Sequence, residues 1–262
     1  MSVFGFEQLK RLRDKQGRDE LGYFLAEGEH LVLELVRALE LMPALRTATI
    51  LAAHEYEAAI TDAGNASSLP LQRMSAKQME ALSETRNPQG IIAVVPITQP
   101  SPPRTGERVI YLHEIQDPGN LGTILRTLGW FGGFRCLLSP QSVDPYNSKV
   151  VRASMGAMFS VPIEREVEAG SLIERYPRLA LLDLDGMTID TPEFRACDGY
   201  VFGNEARGLP ADLRARLGAR AFSIPGGRRI ESLNLAAAVN ICAYELTRGA
   251  PNTSNGKPIT NA

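Results

Sequence analysis

Short apolar runs alternate with amphipathic runs along the first 95 residues. Residues 23–27, 47–52 and 91–95 are short and apolar, which is typical of buried strands. The apolar positions Leu31, Leu35, Val36 and Leu39 have the spacing of one helix face. Helices are predicted over 6–15, 29–39, 54–63 and 75–82, the last of them capped by Ser75. The pattern predicts a small α/β unit.

The same alternation is stronger after residue 107. Strands are predicted over 109–113, 134–138, 179–184, 200–202 and 221–224, with helical runs between them and a long closing helix over 234–248. Short β-rich runs separated by helical runs are typical of a mostly parallel sheet covered on both faces by helices. The predicted fold class is therefore α/β.

A proline-rich stretch separates the two patterns. Four prolines within residues 96–107 oppose both helix and central strand, and they favour an extended, semi-rigid spacer. We therefore expect a small domain at 1–95, a linker at 96–107 and a second domain at 108–249. The remaining residues, 250–262, are polar and rich in turn formers, so they are predicted to be a frayed tail.

Composition narrows the class of protein without indicating a function. The 262 residues are 44% hydrophobic and 22% charged, as in an ordinary soluble globular protein. No apolar run approaches the roughly 20 residues of a membrane-spanning helix, and the first residues have no signal-peptide apolar core. We therefore expect a cytoplasmic protein with no membrane partner. A net charge of −2 does not favour nucleic-acid binding, so RNA contacts would depend on local basic patches.

Cysteines and histidines offer no metal or redox site. Cys136, Cys197 and Cys242 are odd in number and far apart, which fits neither a disulfide framework nor a CxxC metal site. The apolar neighbours of Cys136 and Cys242 predict small buried hydrophobes. The three histidines are isolated, and the motifs GxGxxG, GxxxxGK[ST] and HExxH are absent. We expect no metal.

The first segment with candidate chemistry is residues 113–132, where a strand ends, the chain turns and a helix begins. Asn120 is predicted to cap that helix, where free backbone N–H groups could receive an anion. Arg126 follows six residues later and could project toward the same side of the helix. The alternative is that Asn120 only caps the helix and that Arg126 lies in solvent.

The second segment is residues 200–210, an apolar strand that runs into Gly203, Asn204 and Glu205. Ligands of parallel sheets bind beyond the carboxyl ends of the strands, and glycine there lets the backbone approach a ligand closely. A glutamate at this edge could orient a polar substrate group or pair with an arginine. An ordinary turn with a solvated carboxylate is the equal alternative.

The third segment is residues 223–246, in which a loop of Gly226, Gly227, Arg228 and Arg229 precedes a helix. Two glycines and two arginines predict a mobile basic loop, and phosphate is its natural partner because arginine offers a planar fork of donors. Ser232 and Asn234 can cap the helix that follows. The apolar stripe of that helix is most simply core.

Together the three segments resemble the motifs of the SpoU/TrmH family, in the SPOUT superfamily of RNA methyltransferases. The matching stretches are NLGTILRT, VFGNEARGL and IPGGRRIESLNLAAA, in that order along the chain. The stretch FLAEGEHLVLE and its surroundings resemble the ribosomal-protein-like (L30e/L7Ae-like) RNA-binding domain that precedes the catalytic domain in many members. The resemblance covers nearly the whole chain.

This resemblance implies a fold, a cofactor and a reaction. It implies a deep trefoil knot in the second domain, S-adenosylmethionine as methyl donor, methylation of a ribose 2′-hydroxyl, and a homodimer whose site draws on both subunits. The active-site positions of the family fall on Asn120, Arg126, Glu205, Ser232 and Asn234, and its cofactor contacts fall on Gly203, Ile224 and Leu233. Arg126 would be the proton acceptor of the family's mechanism. A guanidinium stays protonated at neutral pH, so stabilising the developing alkoxide is the less demanding role for it.

The additional domain favours a large structured RNA, with 23S ribosomal RNA as the first candidate and transfer RNA as the second. Candidates for phosphate contact are Lys10, Arg11, Arg13, Lys15 and Arg18. Acidic residues interleave with these cations, so a solvated helix face is an equal alternative. The alternative from another class is a non-catalytic RNA-binding or ribosome-assembly protein. The intact motifs count against it.

Overall fold

The described residues up to 96 contain a four-stranded sheet whose strand order is β1-β4-β2-β3. The computed structural model describes residues 4–53, 69–85, 88–227, 229–230 and 232–249. The strands are β1 Tyr23–Glu27, β2 Thr49–Ala53, β3 Leu71–Met74 and β4 Ile91–Pro96. β3 is parallel to β2, and β4 is antiparallel to both β1 and β2. The helices described here are α1 Phe6–Arg11, α2 Lys15–Leu21, α3 Glu29–Ala38 and α4 Ala76–Leu82.

Residues 108–247 form a six-stranded sheet in which every paired strand is parallel, with the order β10-β8-β9-β5-β6-β7. Its strands are β5 Arg108–Leu112, β6 Phe134–Leu138, β7 Ile163–Glu164, β8 Leu179–Thr188, β9 Gly199–Phe202 and β10 Arg220–Ser223. The helices are α5 Pro118–Phe131, α6 Ser148–Ala153, α7 Ser171–Arg175, α8 Pro192–Arg195, α9 Ala211–Leu217 and α10 Leu235–Thr247. Separate apolar clusters pack on its two faces. The predicted α/β fold with a parallel sheet is confirmed.

Most predicted elements are present with bounds shifted by one or two residues. The strands at 23–27 and 134–138 have the predicted bounds, and the Ser75 side chain caps α4 as predicted. The predicted helix at 6–15 is wrong in extent. It ends at Arg11 and a second helix begins at Lys15, where the backbone of Gly17 packs directly against the Arg11 carbonyl. The predicted helix at 54–63 and the predicted tail at 250–262 lie outside the described residues.

Two strands were not predicted, and one was predicted too short. β3 alternates exposed and less exposed positions at the edge of its sheet, and β7 has only two residues. β8 continues to Thr188 beyond the predicted end at 184. Its register against β10 jumps from Leu181 to Met187, so the intervening residues leave the ladder.

A buried ion pair joins the two halves of the molecule, each of which contains one of the sheets. The Arg18 guanidinium donates to Asp144 at 2.7 and 2.9 Å, and both side chains are almost fully buried. Arg18 also donates to the carbonyls of Leu12 and Arg13. The ring of Phe24 packs 4.9 Å from that of Tyr146 on the same interface. The hypothesis that Arg18 contacts phosphate is therefore wrong, because its donors are already used inside the protein.

The other four candidate cations, which lie in α1, at the start of α2 and between the two helices, are paired with acceptors of the same molecule. Lys10 pairs with Glu7, Arg11 with Glu20, and Lys15 with Glu166. Arg13 donates to the Ala81 carbonyl. These contacts favour the alternative of a solvated, internally neutralised face.

The linker residues are held against the second sheet by Arg135. This arginine is buried and donates to Glu107 at 2.9 Å, to Glu164 at 3.1 Å and to the Ser101 carbonyl at 2.6 Å. Cys136 and Cys242 are buried as predicted, and burial raises the pKa of the Cys136 thiol to about 12. Across the described ranges, no helix combines the length and apolar character needed to cross a membrane.

Replacing Arg18 by methionine removes both short hydrogen bonds from a guanidinium to the buried Asp144, which keeps only the Tyr146 backbone N–H and a 3.9 Å contact with Arg165. Removing one charge of a buried pair costs about 3–5 kcal/mol, so we expect the free energy of unfolding to fall by about that amount. Arg37→Met is the control, because Arg37 is 59% exposed in its pair with Glu34 and exposed pairs contribute about 0–1 kcal/mol. Urea unfolding followed by circular dichroism measures both variants. Equal losses would contradict a special role for the buried pair.

Candidate functional site

The parallel pairing of β5 with β9 brings two of the three candidate segments together. Leu112 and Phe202 are register partners at the carboxyl ends of these strands. The His113 backbone N–H then donates to the Phe202 carbonyl at 2.9 Å. The chain segments that leave the two strands, 113–117 and 203–208, therefore begin side by side.

Helix α5 begins one turn earlier than predicted, and its N-cap is Asp117 rather than Asn120. The Asp117 carboxylate accepts the Asn120 backbone N–H at 2.7 Å, and Pro118 occupies the first helical position. Proline suits that position because its fixed φ is helical and its missing N–H would have no partner there. The predicted capping role of Asn120 is wrong, and its side chain is left free for other contacts.

The Glu205 carboxylate bridges the two segments. One oxygen accepts the Gln116 backbone N–H, and the other accepts the Asp117 backbone N–H and the Asn120 side-chain amide, each at 3.3 Å. Glu205 is therefore bound by donors from the segment after β5 and from the first turn of α5.

Asn120 extends this connection to the third segment. Its side-chain oxygen accepts from the Asn234 amide at 2.9 Å. The Asn234 side-chain oxygen in turn accepts the Ala237 backbone N–H, so Asn234 is the N-cap of α10, as predicted. Glu205, Asn120 and Asn234 thus form one chain of hydrogen bonds across three segments that are far apart in sequence.

Asn204, for which no role was predicted, holds the segment after β9 in place. It is 7% exposed. Its side-chain oxygen accepts the N–H groups of Ala206 and Arg207, and its amide donates to the Glu114 carbonyl. Asparagine is a common turn residue for this reason. The sequence therefore indicated a turn at Asn204, but it did not indicate the hydrogen bond to Glu114.

Arg126 does not join this network within one chain. Six residues correspond to about 240° around a helix, so Arg126 points away from Asn120 rather than toward the same side. Arg126 is exposed and makes no hydrogen bond or ion pair with any residue of the described ranges. It shares an exposed face of α5 with Thr123 and Trp130.

The three predicted cofactor residues lie at the carboxyl ends of β9 and β10 and before α10. A side chain on Gly203 would meet the backbone of Gly208 at 2.4 Å, so this position requires glycine for packing. Ile224 is half-buried, and Leu233 is 45% exposed. Exposed apolar side chains also occur in the second half of β8, at Leu184 and Met187, and in the segment between β10 and α10, at Ile230.

The remaining predicted residues of the third segment are exposed. Ser232 has no side-chain hydrogen bond to the part of the chain that is described, and Arg229 has no ion pair there. Arg228 of the predicted basic loop lies outside the described residues. Among the residues that the structure describes, no group of three or more His, Cys, Asp or Glu is suited to hold a metal.

His113 borders the site with a side chain that is 12% exposed. Both ring nitrogens are buried, and neither has a hydrogen-bond partner among the residues that the structure describes. Burial lowers the pKa of His113, the nearby Glu114 carboxylate raises it, and the Arg207 guanidinium lowers it.

Comparison with known proteins covers both halves of the chain. The SpoU rRNA Methylase family matches residues 107–244, and an MRM3-like substrate binding domain matches residues 7–93. An uncharacterized tRNA/rRNA methyltransferase from Synechocystis sp. is 30% identical over 250 residues, which cover 92% of this chain and 90% of that protein.

Two further proteins are similar over nearly their whole length. The 23S rRNA (guanosine(2553)-2'-O)-methyltransferase RlmP from Bacillus subtilis is 27% identical, over 90% of this chain and 93% of that protein. The crystal structure of an AdoMet-bound rRNA methyltransferase from Sinorhizobium meliloti has a TM-score of 0.75 at 30% identity, over 94% of this chain and 95% of that one.

Gly203→Ala tests how tightly the segment after β9 is packed. The added Cβ has no room beside the backbone of Gly208 and Leu209, and overpacking of this kind costs about 1–3 kcal/mol. We expect a lower melting temperature in thermal unfolding. Gly226→Ala is the matched control, because a Cβ there meets nothing within 4 Å. An unchanged melting temperature for Gly203→Ala would contradict the close approach.

Proposed function

The chain belongs to the SpoU rRNA methylase family, and on that basis we propose that it transfers a methyl group from S-adenosylmethionine to a ribose 2′-hydroxyl of 23S ribosomal RNA. The observation that carries this proposal is the hydrogen-bonded chain Glu205–Asn120–Asn234. A protein that only bound RNA would need no such joining of three separated motifs. The similarity to RlmP, named for 2'-O-methylation of 23S rRNA, supports the reaction and the substrate.

The residues around the candidate site fit S-adenosylmethionine. Ile224, Ile230 and Leu233 provide apolar surface for an adenosyl group, and Gly203 leaves the end of β9 without a side chain. A cofactor site is expected to combine apolar walls with a few polar groups of this kind. When bound, S-adenosylmethionine supplies an electrophilic methyl group on its sulfonium. The similar AdoMet-bound structure supports this assignment.

The O–C bond from the ribose to the methyl group would form as the donor's S–C bond to that group breaks and leaves a neutral thioether, while the hydroxyl proton passes to water. The protein's own residues must orient the ribose and stabilise its 2′-oxygen as that proton leaves. Holding a nucleophile in line with its target can lower a barrier by about 7–11 kcal/mol. Asn234 and Ser232 orient the ribose and the donor, and Glu205 fixes Asn120. Arg126 stabilises the developing alkoxide or anchors the adjacent phosphate, since a protonated guanidinium favours negative charge beside it.

Arg126 would act across a two-fold homodimer. It lies on an exposed face formed by α5 and α10, which are joined by the Thr127–Asn240 hydrogen bond. This face also carries Trp130 and Tyr244, which are 82% and 56% exposed. Large exposed apolar surface next to a polar functional group is typical of an interaction site. Pairing two such faces would bring Arg126 of one subunit toward the site of the other.

The two halves of the chain have separate roles in this proposal. Residues 1–95 bind the RNA, and residues 96–107 link this domain to the next. Residues 108–249 form the SPOUT catalytic domain, whose C-terminal part forms a deep trefoil knot. The match of a substrate binding domain to residues 7–93 supports the first assignment. The similar enzyme RlmP is bacterial and is named for 23S rRNA, and bacterial ribosomal RNA lies in the cytoplasm. We therefore place this protein in the cytoplasm.

Transfer of labelled methyl groups tests the proposal. We expect label from S-adenosylmethionine in 2′-O-methylnucleosides of 23S ribosomal RNA, identified by nucleoside mass spectrometry, and none in transfer RNA. Arg126→Ala should lower kcat by about 10²–10³-fold, as for loss of one charge-stabilising donor, with donor binding unchanged in calorimetry. Arg220→Ala, an exposed arginine at the opposite end of β10, is the control.

Each other outcome is informative. Label found only in transfer RNA would show that the proposed substrate is wrong, and label on a base would show that the proposed reaction is wrong. Donor binding without transfer to any RNA would favour a non-catalytic RNA-binding protein. Parent-like turnover by Arg126→Ala would remove that residue from the mechanism.

Mixing two inactive variants tests the dimer. If Arg126 acts in trans, a mixed dimer of Arg126→Ala and Asn234→Ala subunits has one intact site. Random exchange of equal amounts makes half of the dimers mixed, which gives about one quarter of the parent activity. If Arg126 acts within its own chain, both sites of every mixed dimer are damaged and activity does not return. Light scattering on each variant establishes that it still dimerises.

A further inference from the structure

Asn204 is a buried polar residue whose side chain makes three hydrogen bonds, all of them to backbone groups of the protein. Its oxygen accepts from Ala206 N–H at 3.0 Å and Arg207 N–H at 3.1 Å, and its amide donates to the Glu114 carbonyl at 2.8 Å. Its backbone N–H and carbonyl also exchange hydrogen bonds with Gly208, both at 2.9 Å. The side chain therefore closes the 204–208 turn and fastens it to the end of β5.

Glu205 has no comparable anchor of its own. It is exposed, and its three hydrogen bonds to Gln116, Asp117 and Asn120 are all 3.3 Å long. Charge-assisted bonds of good geometry are about 2.7–2.9 Å long, so these contacts alone hold the carboxylate weakly. The orientation of the Glu205 side chain must therefore be set by the backbone of the 204–208 turn.

The second connection between this turn and β5 is weaker. Arg207 pairs with Glu114 at 2.7 Å, but the arginine side chain is 70% exposed. Exposed pairs contribute about 0–1 kcal/mol. The buried Asn204 amide is shielded from water, so its bond to the Glu114 carbonyl is the stronger constraint.

We propose that Asn204 is a positioning residue for methyl transfer, which aims the Glu205 carboxylate at Gln116, Asp117 and Asn120 and thereby sets Asn120 against Asn234. This inference rests on the proposed function for its kinetic consequence. Asn204 does not touch the reacting groups and acts through Glu205.

Asn204→Asp is the most informative substitution. Aspartate keeps the size and the acceptor for Ala206 and Arg207, but it places a carboxylate oxygen against the Glu114 carbonyl instead of a donor. A displacement of about 1 Å at a reacting centre can cost about 10²-fold in rate. We expect kcat to fall about 10–100-fold, while KM for RNA and Kd for S-adenosylmethionine change less than about 3-fold. Arg207→Ala is the matched control, because it removes only the exposed contact to Glu114 and should keep the parent kcat.

A double-mutant cycle separates positioning from general loss of structure. If Asn204 acts through Glu205, Asn204→Asp should lower kcat less than about 2-fold further when Glu205 is already glutamine, since coupled residues are not additive. Its effect on melting temperature should be the same in both backgrounds. Fully additive losses in kcat would overturn the inference.

A measurement without turnover keeps the inference testable if the parent transfers no methyl group. Amide hydrogen exchange by NMR reports the Gln116 and Asp117 N–H groups that Glu205 accepts. We expect both amides to exchange about 10-fold faster in Asn204→Asp and in Glu205→Gln, and at the parent rate in Arg207→Ala. Parent-like protection of both amides in Asn204→Asp would overturn the positioning role, whatever the activity. Absence of transfer by the parent, with these exchange changes present, would instead count against the proposed function.

Discussion

The parallel pairing of β5 with β9 is the constraint on which the site depends. Because Leu112 and Phe202 are register partners, the segments that follow them emerge at the same edge of the sheet, and a hydrogen bond from His113 to Phe202 continues the ladder past its end. A shift of one residue would turn every side chain of one strand to the other face. Glu205 would then no longer face the N–H groups of Gln116 and Asp117. The register of two buried strands thus fixes polar contacts that are themselves exposed.

Buried charged side chains give the two halves of the molecule one arrangement. Arg18 reaches Asp144 across the interface, and Arg135 ties Glu107 and Ser101 of the linker to β6 and β7. Interfaces between domains of one chain ordinarily permit relative motion. Here a displaced domain would leave a buried charge without its partner, and that costs free energy. An RNA held by the first domain would therefore meet the second at a defined position.

The sequence predicted the elements better than the contacts between them. Apolar runs located the central strands because burial on both faces leaves a continuous signal, whereas β3 at a sheet edge has only a weak alternation. Asp117 and Asn120 are both good N-caps, and Pro118 decides between them by fixing the first helical residue. The motifs indicated Glu205 and Asn234, but their connection through Asn120 depends on register and helix start. The role of Asn204 could not be read from the sequence, because its partner Glu114 lies 90 residues earlier.

The division between buried and exposed polar groups follows from the size of the proposed substrate. A site for a small molecule can enclose its functional groups, but a site for a folded RNA must leave them at the surface. Glu205, Ser232 and Arg126 are accordingly exposed. Exposed side chains lose conformational entropy when they are held in one orientation, and packing cannot supply that order. Hydrogen bonds from a buried residue can supply that order, and Asn204, which lies next to Glu205 in the chain, makes such bonds through both its side-chain oxygen and its amide. Arg126 has no such support from the described residues of its own chain, which is the physical reason to look for its order in a second subunit.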